Sequence, residues 1–309
     1  MGKVPFDPVC YAINSISMGD VIATAPIVKW AIENLHKETE YTVLVYPQFE
    51  EFFEFVPKER IKPYGIKHTF PSSYLIRYLN TLGLPAGTPR NTSMRMHLSQ
   101  FASLKLLDRF IDVKHMQYLP LREVPIDHFQ VDLKRAVLIV TTHRDDVRQW
   151  PKETVEEIVS WLLKNNYQPV YVGKVDDSAF WKDSPLKASF EPPTGGVDLR
   201  NETSILELAT LAKYSRAVIG VDSGPIHLAA TTEVPIVCGY TTVSPEHRFP
   251  PRAKGKFYAI EPNIACQYCQ SYTNMHFWDY GKCYLDTLEC CKKMTAPKFI
   301  AALKEALKD

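Results

Sequence analysis

A chain of 309 residues has room for about two domains at ~150 residues each. With 45% apolar and 23% charged residues it has the balance of a globular protein, which excludes wholesale disorder. A net charge of +1 means that any binding of nucleic acid or an acidic membrane must come from a local patch.

The chain opens as strand, turn and helix. Val9–Asn14 is a short apolar run of the kind a buried parallel strand shows, Ser15-Ile16-Ser17-Met18-Gly19-Asp20 is a small-residue turn, and a helical pattern runs from about Val21 to Leu35. Pro26 is awkward there, because proline removes a donor and bends a helix. Tyr41–Tyr46 reads as a second strand, with helices expected near Ser73–Leu82 and Leu98–Phe110. Pro120–Val131 is polar and proline-marked, which suits a linker. The rhythm then restarts: strand Ala136–Thr141, helix Pro151–Asn165, strand Pro169–Val172, a Ser204-Ile205-Leu206-Glu207 capping box opening a helix to about Tyr214, strand Ala217–Val221, short helix Pro225–Thr231, strand Pro235–Gly239 and a closing amphipathic helix Thr295–Leu307. The expected class is α/β, with two doubly wound, Rossmann-like parallel-sheet domains, 1–130 and 131–309, facing a central cleft. Ligands of such sheets bind at the carboxyl ends of the strands.

Unbroken apolar runs such as Ala136–Val140 fall far short of the ~20 residues of a membrane helix. Met1-Gly2-Lys3-Val4-Pro5-Phe6-Asp7 lacks the apolar core of a signal peptide, and Phe6 stands where a myristoylation signal needs Ser or Thr. A cytoplasmic location is therefore expected, with any membrane contact peripheral.

Three segments at strand ends carry chemistry. In Val221-Asp222-Ser223-Gly224-Pro225-Ile226-His227 a buried strand turns directly into a helix, which presents backbone donors, the Ser223 hydroxyl and His227 to an anion. In Thr141-Thr142-His143-Arg144-Asp145-Asp146-Val147-Arg148-Gln149-Trp150-Pro151 the planar forks of Arg144 and Arg148 suit phosphate, although both can simply pair with Asp145 and Asp146. Asp20, after Met18-Gly19, is either a helix cap or a general base facing the other domain.

Together these segments resemble the heptosyltransferase-like glycosyltransferases of family 9, the ADP-heptose:lipopolysaccharide heptosyltransferase type, which have the two-domain GT-B fold. The resemblance is carried by Ile16-Ser17-Met18-Gly19-Asp20-Val21-Ile22-Ala23-Thr24-Ala25-Pro26, by Thr141 to Pro151, and most specifically by Asp222-Ser223-Gly224-Pro225-Ile226-His227-Leu228-Ala229-Ala230. Its order and spacing suit most of the chain, and it accounts for Pro26. It implies an N-terminal acceptor-binding domain and a C-terminal nucleotide-sugar-binding domain. By the same resemblance Asp20 is the catalytic base, and Ser223, Gly224, His227 and Arg148 hold the donor diphosphate, with Arg144 able to share that role. Asp222 shapes the turn, Asp176 lies near the ribose, and Thr203 and Ser204 lie near the nucleotide base. An inverting transfer follows, in which positive charge stabilises the departing nucleoside diphosphate while a carboxylate takes the acceptor's proton. No Asp-x-Asp occurs, so the expectation is a metal-independent reaction with no catalytic cofactor.

Between Lys58 and Arg122 stand 11 Lys and Arg against 3 Asp and Glu, a local excess of +8. That excess favours an anionic acceptor, such as a phosphorylated lipopolysaccharide-like glycan. Hydroxylated bases in phage DNA are an alternative acceptor, and a non-catalytic sugar-nucleotide-binding protein is an alternative of another class. Five of the seven cysteines crowd into residues 266–291, as Cys-x2-Cys-x13-Cys-x6-Cys-Cys. Cys266, Cys269, Cys283 and Cys290 (or Cys291) have a spacing close to a zinc ribbon, which points to structural zinc; free thiols and disulfides are the other readings.

Overall fold

The computed structural model describes residues 8–15, 17–70, 74–80, 97–140, 142–143, 146–175, 187–188, 191–249, 255–272 and 283–308. The N-terminal part contains β1 (Val9–Asn14), α1 (Met18–Leu35), β2 (Tyr41–Val45), β3 (Ile61–Pro63), β4 (Leu75–Asn80) and α2 (Leu98–Leu107). Its four strands form a parallel sheet in the order β3-β2-β1-β4. β1 is flanked on both sides, which explains its uninterrupted burial from Val9 to Ile13.

Two expectations change here. Leu75–Asn80 is a strand, within the stretch whose spacing predicts a helix near Ser73–Leu82. Its backbone pairs with β1 through six residues, Val9↔Leu75 to Asn14↔Asn80, so tertiary pairing overrides the local helical spacing. Leu75 and Ile76 remain exposed, as befits an edge strand. Helix α1 begins at Met18 with Ser17 as its N-cap, three residues before the expected start, so Asp20 lies in the first helical turn. Pro26 sits inside this helix. Val21–Val28 and Ala31 are all buried, because α1 is packed against the sheet, α2 and, from the second half of the chain, a short helix described below.

The C-terminal part contains β5 (Ala136–Val140), β6 (Thr142–His143), α3 (Lys152–Lys164), β7 (Gln168–Val172), β8 (Lys187–Ala188), β9 (Val197–Asp198), α4 (Ile205–Tyr214), β10 (Ala217–Val221), α5 (Gly224–Ala229), β11 (Ile236–Gly239), α6 (Pro245–Arg248), β12 (Phe257–Ile260), α7 (Cys269–Tyr272), α8 (Glu289–Lys292) and α9 (Ala296–Ala306). Six strands form a parallel sheet in the order β12-β11-β10-β5-β7-β9, while β6 and β8 make a small antiparallel ribbon. The chain proceeds from β5 outward to β7 and β9, then returns to β10 on the other side of β5. The topological switch point therefore lies between β5 and β10, where open α/β sheets bind ligands. In the first sheet the corresponding point lies between β1 and β4.

α3 and α9 cover one face of the larger sheet, with Trp150 stacked on Phe299 at 4.9 Å between ring centroids. The other face joins a core continuous with the N-terminal sheet, from Val21 and Ile27 to Leu228 and Tyr240. The Pro120–Val131 segment lies along α4: the Thr210 hydroxyl accepts from the Val124 amide at 3.2 Å, and Glu123 binds Lys213 and Tyr214. No helix among the described residues is long and apolar enough to cross a membrane.

Candidate active site

Local sequence builds both halves of the site. Each strand of the pair β1 and β10 is a buried apolar run that ends in small residues and passes at once into a helix: α1 after Ser15–Ser17, and α5 after Asp222-Ser223. The two helix starts abut. A Cβ on Gly19 would stand 2.8 Å from Cδ2 of His227, and one on Gly224 would stand 3.1 Å from Cβ of Met18. Glycine is required at 19 because the backbone of α1 lies directly on the His227 ring. Asp20, half-buried, is the next residue, and its Oδ2 accepts from the Ser15 hydroxyl at 3.0 Å.

Gly19→Ala has a definite expected outcome. The added methyl meets a buried ring held by two hydrogen bonds, so α1 must retreat. Overpacking of this kind costs about 1–3 kcal/mol. The melting temperature is expected to fall accordingly in differential scanning calorimetry, and an unchanged one would show that α1 does not rest on the ring.

Around Asp222 lies a buried polar chain. Arg148 Nη1 donates to the Asp222 carbonyl oxygen at 3.0 Å and lies 3.3 Å from the Asp222 Oδ2. His227 Nε2 is 3.3 Å from Asp222 Oδ1, and the Tyr118 hydroxyl is 3.0 Å from His227 Nδ1. Burial alone would push the Asp222 carboxyl up, yet Arg148, the bond from His227 and the nearby Arg248 guanidinium together hold it well below the usual carboxylate range. Asp222 is thus an ionised acceptor that fixes both Arg148 and His227. Ser223 is different. It is the N-cap residue of α5, but its hydroxyl makes no cap bond, and its buried Oγ has no hydrogen-bond partner among the described residues. A buried hydroxyl without a partner is costly in a finished core and is understandable where a ligand supplies one.

The sequence-derived candidates divide accordingly. Met18, Gly19 and Asp20 meet Gly224 and His227, and Arg148 meets Asp222. Both ring nitrogens of His227 are taken up within the protein, which makes it a structural link as much as a ligand. Ser204 accepts from the Glu207 amide in a reciprocal capping box, so its hydroxyl is occupied by α4, with Thr203 just before it. Arg144 and Asp176 lie outside the described residues.

Three residues join the site without having been singled out. Tyr118 reads in the sequence as one more core aromatic. His97 caps α2: its Nδ1 accepts from the Ser99 amide and its Nε2 is 2.8 Å from the Phe249 carbonyl oxygen, and burial pushes it down to about 4. Arg248 is buried and electrostatically coupled to Asp222, Tyr118 and His97. Long-range partners of this kind leave no local signal in the sequence.

In the basic 58–122 stretch, Arg77 pairs with Asp108, Lys114 with Asp112 and Arg122 with Glu54, while Arg60 and Lys62 lie over the Tyr41 and Phe70 rings. Arg90 and Arg95 lie outside the described residues. A cavity of about 460 Å³, lined by Tyr118, Arg122, Thr210, Lys213, Thr231 and Glu233 among others, lies beside the Pro120–Val131 segment and the C-terminal end of α5, the opposite end from Ser223.

The cysteine segment packs beneath the Arg148 turn. No disulfide joins any of the seven cysteines. Cys291 Sγ lies 3.8 Å from the Asp146 carbonyl oxygen. Burial pushes Cys269 up to about 11, with Cys290, Cys266 and Cys283 close enough to add to the effect. Burial raises Cys283 too, but backbone N–H groups of Leu288, Thr287 and Leu285 more than offset it. A bond from the Cys291 thiol brings Cys290 down to about 7. No three His, Cys, Asp or Glu side chains among the described residues converge as metal ligands in this arrangement.

Comparison with known proteins gives this architecture its class. The structure has TM-score 0.73 at 17% identity to TibC of enterotoxigenic E. coli, described as a dodecameric iron-containing heptosyltransferase in complex with ADP-D-β-D-heptose, covering 99% of this chain and 77% of that one. It has TM-score 0.64 at 13% identity to a glycosyl transferase family 9 protein of Veillonella parvula, covering 99% and 98%. These likenesses establish the GT-B-type fold, with its 4- and 6-stranded parallel sheets. The family model for glycosyltransferase family 9 (heptosyltransferase) matches residues 93–276, more than half of the chain, and the chain belongs to that family. Lipopolysaccharide heptosyltransferase 2 of Salmonella typhimurium is 26% identical over 99 residues, 32% of this chain and 28% of that protein. Lipopolysaccharide heptosyltransferase 3 of E. coli K12 is 29% identical over 103 residues, 33% of this chain and 29% of that protein. The matched region thus spans less than a third of each of these curated relatives.

Proposed function

We propose that this protein is an inverting glycosyltransferase that moves a sugar from a nucleoside-diphosphate donor to a hydroxyl of an anionic, lipopolysaccharide-like acceptor. One observation carries the reading: Gly19 lies on the ring of His227, so Asp20, the next residue of α1, follows directly on the contact with the turn whose Ser223 hydroxyl has no partner among the described residues. On this reading the Ser223 hydroxyl and the Gly224 amide bind the donor diphosphate, and Arg148, anchored by Asp222, neutralises its charge as the sugar–phosphate bond breaks. Asp20 takes the acceptor's proton from the opposite side of the sugar, late in the transition state, once that proton has become acidic. The leaving group's stabilisation comes from protein cations and amides, so this step needs no metal. TibC's complex with ADP-heptose supports an ADP-linked heptose as the donor class. The local +8 of residues 58–122, only part of it in ion pairs within that stretch, supports a phosphorylated acceptor. A thermal-shift panel of ADP, GDP, UDP and TDP and their sugars tests the donor site: a bound nucleotide at 100 times its Kd stabilises by about 2.7 kcal/mol. ADP compounds are expected to raise the melting point most, and a flat response to every nucleotide would overturn the reading.

From the spacing of the cysteine cluster we propose that Cys266, Cys269, Cys283 and Cys290 gather around one structural metal ion when it binds, since they do not converge as ligands without it. Thiolate-prone Cys283 and Cys290 suit either zinc or iron, and the description of TibC as iron-containing supports a metal in this fold. Such a metal would tie down the segment that buttresses the Arg148 turn through Cys291. Elemental analysis of the purified protein is expected to find about one equivalent of zinc or iron, lost in Cys283→Ser. A metal-free, fully active preparation would end the proposal.

A further inference from the structure

Tyr118 belongs to neither sheet. It lies in the segment that joins them, between α2 and β5, and its side chain reaches the heart of the site. Its hydroxyl is 3.0 Å from His227 Nδ1, with the two rings 5.9 Å apart and tilted by 35°. The other nitrogen of that histidine, Nε2, is 3.3 Å from Asp222 Oδ1.

Donor and acceptor accounting fixes the protons. Asp222, ionised against Arg148, can only accept, so His227 Nε2 must carry a hydrogen. If Nδ1 carried one too, it would turn donor toward Tyr118, and the Tyr118 hydroxyl proton would need another acceptor in a buried site. The alternative needs nothing more: Tyr118 donates to a bare Nδ1, and His227 is neutral. Burial first, and then the charges of Asp222 and Asp20, push the Tyr118 phenol well above its ordinary range, so it keeps the proton it donates.

We infer that Tyr118 is a positioning residue for the proposed transfer: its hydroxyl locks His227 as the neutral Nε2–H tautomer and thereby aims the Asp222 carboxylate that holds Arg148. The chain Tyr118–His227–Asp222–Arg148 runs from the inter-sheet segment to the diphosphate turn, and Gly19 of α1 rests on its middle member. The contact between the two halves and the anchoring of Arg148 therefore share one side chain, His227. The kinetic side of this inference rests on the proposed glycosyl transfer; the tautomer does not.

The test uses the full-length protein carrying ¹⁵N-labelled histidine, with the His227 resonances identified by their loss in His227→Gln. In the unsubstituted protein near neutral pH, Nδ1 is expected to resonate as a bare, pyridine-type nitrogen and Nε2 as a protonated one. A protonated Nδ1 would overturn the inference without any variant being made. Tyr118→Phe keeps the ring and removes only the donor. It is expected to move His227 to a mixture of tautomers and to lower kcat about tenfold, the worth of one buried hydrogen bond, with the donor KM within about twofold. An unchanged His227 spectrum in Tyr118→Phe would also overturn it. Should the tautomer shift as expected in a protein with no transferase activity, the proposed function fails and the assignment of Tyr118 stands.

Discussion

Asp20→Asn is expected to lower kcat by about 10²–10⁴-fold, the range for loss of a positioned general base, with the donor KM little changed. The amide matches the carboxylate in size and can still bond to the Ser15 hydroxyl, so α1 keeps its place on His227. What disappears is the proposed role of Asp20, to accept a proton from the acceptor hydroxyl as its bond to the sugar forms. The donor diphosphate is proposed to bind on the far side of the contact, at Ser223, Gly224 and Arg148, so affinity and turnover separate. Initial-rate kinetics with both substrates varied, together with donor melting shifts, read the two quantities. Unchanged turnover would remove Asp20 from the mechanism.

Arg148→Ala is expected to fail in both respects. The Arg148 and Asp222 side chains are only 16% and 7% exposed, so removing the guanidinium leaves a buried carboxylate short of its main counter-charge. Breaking such a pair costs about 3 kcal/mol, which for a chain of this size lowers the melting temperature on the order of 5–10 °C. Donor binding weakens as well, because the proposed phosphate clamp is gone. Adding Asp222→Asn removes the stranded charge and is expected to restore much of the stability but none of the donor affinity. Differential scanning calorimetry and nucleotide titration of the single and double variants check this. A single variant as stable as the unsubstituted protein would show that the pair is not the anchor described.

The fold was legible where hydrophobic runs are long and bounded. β1, β5, β7, β10 and β11, with α3, α4 and α9, lie close to the positions that apolar spacing, capping residues and prolines dictate. Leu75–Asn80 was not legible, because its leucine and tyrosine spacing suits a helix, and only the open edge of β1 makes it a strand. Of the site, the strand-end motifs are local and carry the family resemblance, so Asp20, Arg148 and the Asp222–His227 turn could be found from sequence. Tyr118 lies 109 positions from His227, and His97 lies 152 from Phe249. No spacing rule links partners that meet only when two sheets face each other. The capping role of Ser204 was legible from Glu207 three residues on, whereas a contact with a nucleotide base would come from resemblance alone.

A crystal structure with an intact, non-transferable nucleotide sugar bound tests the donor site and the role of Asp20 at once. The diphosphate is expected on the Ser223 hydroxyl, the Gly224 amide and Arg148, with the Asp20 carboxylate on the face of the anomeric carbon opposite the leaving phosphate. A nucleotide seated away from residues 222–227, or a sugar whose open face is turned from Asp20, would contradict it.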